Sequence, residues 1–191
     1  MLIIARHGRT VANATGLLQG RVDNPLDELG VRQAEAIAAA VGVPDRLISS
    51  SLLRAVQTAA AFGIEPEIDD RWIELDYGDW DERPVGDVAA TEWASWRADP
   101  EFAPPNGESL AELNARVTAA SADLLADARD QLVVVVCHVS PIKAAMRWAL
   151  GVEDEVSWRL HVAQASISRI AIRGDRPVLT SFNEGHHLAH L

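Results

Sequence analysis

The chain is poor in sulfur and in ammonium groups. Of its 191 residues only Cys137 is a cysteine, which excludes an internal disulfide. Only Lys143 is a lysine, against sixteen arginines, the balance that GC-rich coding produces in many bacterial genes. Positive charge is short overall: 17 Lys and Arg face 28 Asp and Glu, for a formal net charge of −11. Such a surface repels nucleic acid and anionic lipid, so a bound anion has to be held by a local concentration of cations. No apolar run approaches the roughly 18 residues of a membrane span, and the start lacks the basic-then-apolar layout of a secretory signal. The expectation is a cytoplasmic protein with neither a nucleic-acid nor a membrane partner. There is also no Gly/Ser linker, no low-complexity tract and no internal repeat. One domain over residues 1–191 is expected, its 48% hydrophobic and 24% charged residues being an ordinary globular balance.

What is present alternates between short β-rich runs and helical stretches. The runs are Leu2–Ala5, Arg46–Ser49, Pro66–Asp69, Leu132–Cys137, Ser166–Ile172 and Val178–Phe182. "LVVVVC" is apolar on both faces, as a central strand of a helix-covered parallel sheet should be. Asp27 reads as an N-cap before a stripe of Val31, Ala34, Ala38 and Val41. Ser109 and Glu112 have capping-box spacing before Leu113, Val117, Leu124 and Leu125. Ser140-Pro141 reads as a helix start and Gly151 as its end. "RGDRP" at 173–177 reads as the turn of a terminal hairpin, and Trp80 to Asn106 as an excursion without a core period. The fold class expected is therefore α/β, a doubly wound, mostly parallel sheet with helices on both faces.

In such a sheet ligands sit at the carboxyl ends of the strands. Arg6, His7 and Gly8 follow the first strand, Arg54 falls in the first turn after the second, and Cys137-His138 closes the fourth. Two imidazoles and two guanidiniums thus converge on one sheet edge of an acidic protein. Guanidinium forks match phosphate oxygens, and helix N-termini add oriented N–H donors. A neutral imidazole whose Nδ1–H is fixed by a carbonyl leaves Nε2 free to attack phosphorus. The phosphorylated histidine then needs a proton donor for the leaving alkoxide and a base for water, and one carboxyl can serve both steps.

The blocks "RHGRTVAN" (6–13), "LQG" (18–20), "NPLDELGVRQA" (24–34), "SSSLLRAVQTA" (49–59), "ELDYGDW" (74–80), "NGES" (106–109) and "CHVSPIK" (137–143), in order, resemble the histidine phosphatase superfamily, the phosphoglycerate mutase-like fold. The resemblance implies His7 as the phosphorylated nucleophile, Arg6, Arg54 and His138 as the rest of the phosphate pocket, and Glu74 as proton donor. It implies Asn13, Gln19 and Gly20 at the substrate opening, a cap of about residues 80–106, and no metal or other cofactor. Three positions depart from the pattern: Arg9 for Glu or Gln, adding charge at the pocket mouth; Val139 for Gly; and Asp81-Glu82 for Glu-Gly. The "HVSPIK" block resembles a phosphatase subgroup that includes α-ribazole phosphatase-like members.

Other residues compete for these roles. Asp76 is the second choice of proton donor in an acidic loop. Cys137 beside His138 resembles a nucleophile pair, but adjacent strand residues face opposite ways, so Cys137 reads as core. Trp80, Trp93 and Trp96 read as cap packing, and His161 as packing. His186 and His190 in "HHLAH" have helical i, i+4 spacing that could hold a metal, but no partner motif accompanies them, and a loose or edge-packed tail is the better reading. The expected activity is a phosphomonoesterase with a mildly acidic optimum acting on a small phosphorylated substrate. A cofactor-dependent phosphoglycerate mutase is the second reading and a silent phosphate-binding module the third. Oligomeric state, homodimer included, stays open.

Overall fold

The computed structural model describes all of residues 1–191. Strands β1 (Leu2–Arg6), β2 (Arg46–Ser49), β3 (Glu67–Ile68), β4 (Val133–Cys137), β5 (Ile167–Arg173) and β6 (Arg176–Glu184) form one sheet in the order β3-β2-β4-β1-β5-β6. The four strands from β3 to β1 run parallel, whereas β5 and β6 are added antiparallel as a hairpin turning at Gly174-Asp175. The helices are α1 (Val11–Thr15), α2 (Glu28–Val41), α3 (Leu53–Ala60), α4 (Ala90–Ala98), α5 (Leu110–Asp123), α6 (Asp127–Asp130) and α7 (Val139–Leu150).

Successive strand residues face opposite ways, and because both faces are covered, Leu2–Ala5 of β1 and all of β4 are apolar. Leu2, Ile4, Val133, Val135 and Cys137 join Leu113 and Val117 of α5 and Ile142 and Met146 of α7 in one core. Ile3, Ala5, Val134 and Val136 join Ile37 of α2 and Ala55 and Ala59 of α3 in another. Each fully buried Leu or Ile contributes roughly 1.5–3 kcal/mol of transfer free energy, so these central strands are the stable base on which the site is built.

Asp27 and Ser109 cap α2 and α5 as their spacing predicts. Val31, expected on the buried stripe of α2, is instead 48% exposed. The inward face runs through Gly30, Ala34 and Ile37, because α2 approaches its neighbour at a glycine rather than at a branched side chain. Helix α7 starts at Val139, not at Ser140-Pro141, with extended His138 as its N-cap. Pro141 fits in that first turn because its missing N–H is one that would have no intrahelical partner.

Residues 80–106 pack through rings rather than through a helical stripe. Trp93 and Trp96 stack at 5.6 Å between centroids, Trp80 meets Trp96 edge-on at 5.6 Å, and Trp158 closes the layer at 5.6 Å from Trp96. In the tail, His186–Leu188 is a single 3-10 turn, so His186 and His190 do not share a helix face. His187 is the buried one, its Nε2 donating to the carbonyl of Ala165 at 2.9 Å.

Candidate active site

The register of β1 on β4 pairs Arg6 with Cys137, and the His7 N–H donates to the Cys137 carbonyl at 3.0 Å. One residue further on, His7 and His138 leave the sheet side by side, with ring centroids 5.0 Å apart. Both imidazoles are buried. His7 Nδ1 donates to the Gly8 carbonyl at 2.6 Å, which leaves Nε2 as the ring's lone-pair nitrogen. His138 Nε2 donates to Ser50 Oγ at 2.6 Å, and its Nδ1 accepts from Arg54 Nε at 3.3 Å. Burial, reinforced by Arg54 in both cases, holds both rings well below the ordinary imidazole range, so they are neutral.

The loop bearing His7 is fixed by close backbone packing. The Gly8 N–H donates to Thr58 Oγ1 at 3.0 Å, and Thr58 in turn donates to the Arg54 carbonyl at 2.7 Å. A Cβ on Gly8 would lie 2.3 Å from the Gly30 carbonyl oxygen, and one on Gly30 would lie 2.0 Å from that of Arg9. The first turn of α2 therefore presses directly on the backbone after His7, and the Arg9 N–H donates to Gln33 Oε1 at 2.8 Å. Contrary to the expectation from its sequence position, Arg9 does not add charge at the pocket mouth. Its Nε pairs with Asp27 at 2.7 Å, which neutralises it.

Arg6 and Arg54 are the cations that reach the site. Arg6 donates to the Val162 carbonyl at 2.8 Å, while its buried Nε has no partner. Arg54 has no exposed surface, and burial pulls its guanidinium down to about 10, still charged at neutral pH. It donates to the carbonyls of Gly20 and Val22 at 2.7 Å each. The Gln19 amide, oriented with its oxygen toward Arg54, accepts from Arg54 Nε at 2.8 Å and donates to Thr10 Oγ1 at 2.6 Å. Gly20 is held from the other side, its N–H donating to Asp81 Oδ1 at 2.7 Å. Asn13 stands apart: its side chain caps α1 by accepting from the Thr10 N–H at 3.2 Å.

Glu74 is 4% exposed and lies at the N-terminus of α7. Its carboxylate accepts from the N–H groups of Leu75 at 2.8 Å and of Val139 and Ser140 at 3.1 Å each. Those last two donors have no partner within their own helix, so the carboxylate caps α7 from another segment. Val139 is accommodated in place of Gly because it has ordinary helical backbone and needs only its N–H here. Glu74 also acts electrostatically on Arg6 and Arg54, which places it among the cations. Asp76 is engaged elsewhere, capping the Gly78 turn at 2.9 Å and pairing with Arg21 at 3.3 Å.

Several participants were not singled out as site residues in the sequence. Arg116 clamps the segment that carries Glu74: it donates to the carbonyls of Arg71 and Ile73 at 2.8 Å each and of Glu74 at 3.3 Å, and pairs with Glu108 at 2.7 Å. Ser50, Thr58 and Asp81 likewise position a site residue, the first two from within the 49–59 block and Asp81 from a place where the chain departs from the pattern. Beside Glu74, between Leu75, Tyr77, Val139 and the tryptophans, lies a cavity of about 160 Å³. Cys137 packs into the core and burial pushes its thiol up, so it offers no thiolate. Two neutral imidazoles, two guanidiniums and one carboxylate in a largely dry setting can bind a phosphoryl group, offer it a nitrogen nucleophile and move one proton.

Residues 2–185 match the model of the histidine phosphatase superfamily (branch 1). Over 177 residues the chain is 33% identical to the bifunctional protein Rv2228c of Mycobacterium tuberculosis; the match takes in 87% of this chain and 49% of that one, so the chain spans about half the length of such relatives. It is 34% identical over 179 residues to the protein named "Probable phosphoglycerate mutase GpmB" of Yersinia pestis, covering 87% of this chain and 82% of that one. Among solved structures, mycobacterial glucosyl-3-phosphoglycerate phosphatase with VO3 superposes with a TM-score of 0.87 at 31% identity, over 96% of this chain and 98% of that one.

Proposed function

The chain belongs to branch 1 of the histidine phosphatase superfamily, and from that premise we propose that it hydrolyses a small phosphomonoester through a phosphohistidine on His7. His7 Nε2 attacks phosphorus and the P–O bond to the leaving group breaks. Glu74, as the carboxylic acid, gives its proton to the departing oxygen. In the second half, Glu74 takes a proton from water as that water attacks phosphorus, the P–N bond breaks, and inorganic phosphate leaves with His7 neutral again. Arg6, Arg54 and His138 surround the phosphoryl oxygens, with Gln19 and Gly20 setting the position of Arg54.

The observation that carries this reading is the hydrogen bond from His7 Nδ1 to Gly8. It leaves Nε2 unprotonated in a ring that stays neutral beside two guanidiniums. Because burial keeps the His7 ring neutral, the nucleophile retains its lone pair into mildly acidic solution, and hydrolysis should persist there. Rapid alkaline quenching during turnover should trap the phosphoryl group on His7. Label on another side chain, or hydrolysis undiminished in His7→Ala, would overturn the assignment.

The mutase reading is favoured by the similarity to the GpmB protein. The short, ring-packed segment 80–106 supports hydrolysis over it, since it leaves little chain to enclose a phosphoryl group between two half-reactions. Comparing phosphate release with phosphoglycerate isomerisation separates the two, and turnover of p-nitrophenyl phosphate disposes of a silent binding module.

A further inference from the structure

The cavity beside Glu74 has walls of an unusual composition. Trp93, Trp96, Trp158, Tyr77 and Val139 make it apolar and aromatic, and its volume of about 160 Å³ is close to that of a cavity that holds one benzene ring. Three of its lining residues, Leu75, Val139 and Ser140, are those whose N–H groups hold the Glu74 carboxylate. The cavity therefore abuts the segment that holds Glu74, and the charges of Glu74 and Arg6 act on two of its walls, Tyr77 and Lys143.

One wall is Lys143, the chain's single lysine. Nine arginines form ion pairs with Asp or Glu, whereas the half-buried Lys143 ammonium has neither an ion-pair nor a hydrogen-bond partner. Burial lowers its affinity for a proton, and Glu74 and Arg6 act on it from the site. A second donor in the walls, the indole N–H of Trp96, is buried without an acceptor. Partly desolvating a cation without compensation is costly, and acidic side chains are plentiful in this protein, yet none is placed there.

We propose that this cavity is the leaving-group subsite and that it selects a phosphate ester whose leaving group is a flat apolar ring bearing a second anionic group, the anion meeting Lys143. The ring is enclosed by the tryptophans, the phosphate faces His7, and Lys143 reads the end of the molecule remote from phosphorus. The proposal rests on the phosphatase reading and specifies its substrate class.

The test compares kcat/KM for phenyl phosphate and for the meta- and para-carboxyphenyl phosphates, with wild type and with Lys143→Met. Wild type should prefer the better carboxylate-bearing ester by about tenfold or more, the worth of one charge-assisted hydrogen bond. Lys143→Met should bring that ratio to about one. A wild-type ratio near one, or a preference that survives in Lys143→Met, overturns the proposal. Turnover of p-nitrophenyl phosphate, lost in His7→Ala, tests the phosphatase reading by itself. If that turnover is present and the ratio does not move, this proposal falls and the phosphatase reading stands; if no ester is hydrolysed, both fall.

Discussion

Replacing Gly30 by Ala sets two effects of opposite sign against each other. Gly30 lies in the first turn of α2, where Ala is the better helix former by up to about 1 kcal/mol. On propensity alone the variant should be more stable. The structure puts the new Cβ 2.9 Å from the Arg9 amide nitrogen and only 2.0 Å from the Arg9 carbonyl oxygen, the latter more than an ångström short of ordinary contact. The obstacle is backbone, which cannot swing aside as a side chain would. Overpacking of this kind typically costs 1–3 kcal/mol, and here at the upper end, so a net loss of about 2 kcal/mol is expected. For a chain of this length that lowers Tm by about 5 °C. Relieving the clash means moving the Arg9 backbone, two residues after His7, by about 1 Å, a displacement of the size that costs on the order of 100-fold in rate. Calorimetry and kcat/KM for p-nitrophenyl phosphate read the two effects separately. A raised Tm with kcat/KM within twofold of wild type would refute the reasoning, since it would mean that α2 does not brace the His7 loop.

Other outcomes follow from the same geometry. Arg116→Met removes the clamp on the Glu74 segment and leaves Glu108 without its closest partner; a loss of about 3 kcal/mol in urea unfolding is expected, with kcat falling more than tenfold and KM changing less, and Arg116→Lys should not restore it because an ammonium cannot fork to several carbonyls. His7 and His138 are neutral when folded and have lowered proton affinity, so below about pH 6.5 the unfolded chain binds protons that the native one does not; urea midpoints should fall as pH drops from about 6.5 toward 5, with a shallower slope in His138→Gln. Glu82 adopts φ +63°, a conformation that costs a side-chain-bearing residue about 1–2 kcal/mol, and Glu82→Gly should raise stability by about 0.5–1 kcal/mol in the same assay because Gly forfeits part of that gain in the unfolded chain.

The Glu82 backbone shows why some of the structure was legible in sequence. Gly is usual there in the pattern the chain resembles, and the left-handed turn survives with Glu in its place. Arg6, His7 and His138 were legible for a local reason: each directly follows or ends an apolar strand run, so its place at the sheet edge needs no knowledge of what packs around it. Asp27 and Ser109 announced their helices through spacing of three residues. The contacts that were not legible are made across long separations. Arg9 appeared as free charge because Asp27, which neutralises it, is eighteen residues away. Ser50 is one of three consecutive serines, and only the approach of β4 picks it out as the partner of His138. Arg116 looks like an exposed helix residue until the 71–74 segment is laid across it. The aromatic layer draws on positions 80, 93, 96, 102 and 158, a set with no period for a pattern to catch.

Because His138 opens α7 and Glu74 is bound to the two residues that follow it, the proposed acid and the second imidazole travel as passengers on one helix. The tryptophan layer makes none of the hydrogen bonds that hold Glu74. Changes in the outer tryptophans can therefore alter which esters are admitted while the hydrogen bonds that fix the proton donor stay in place.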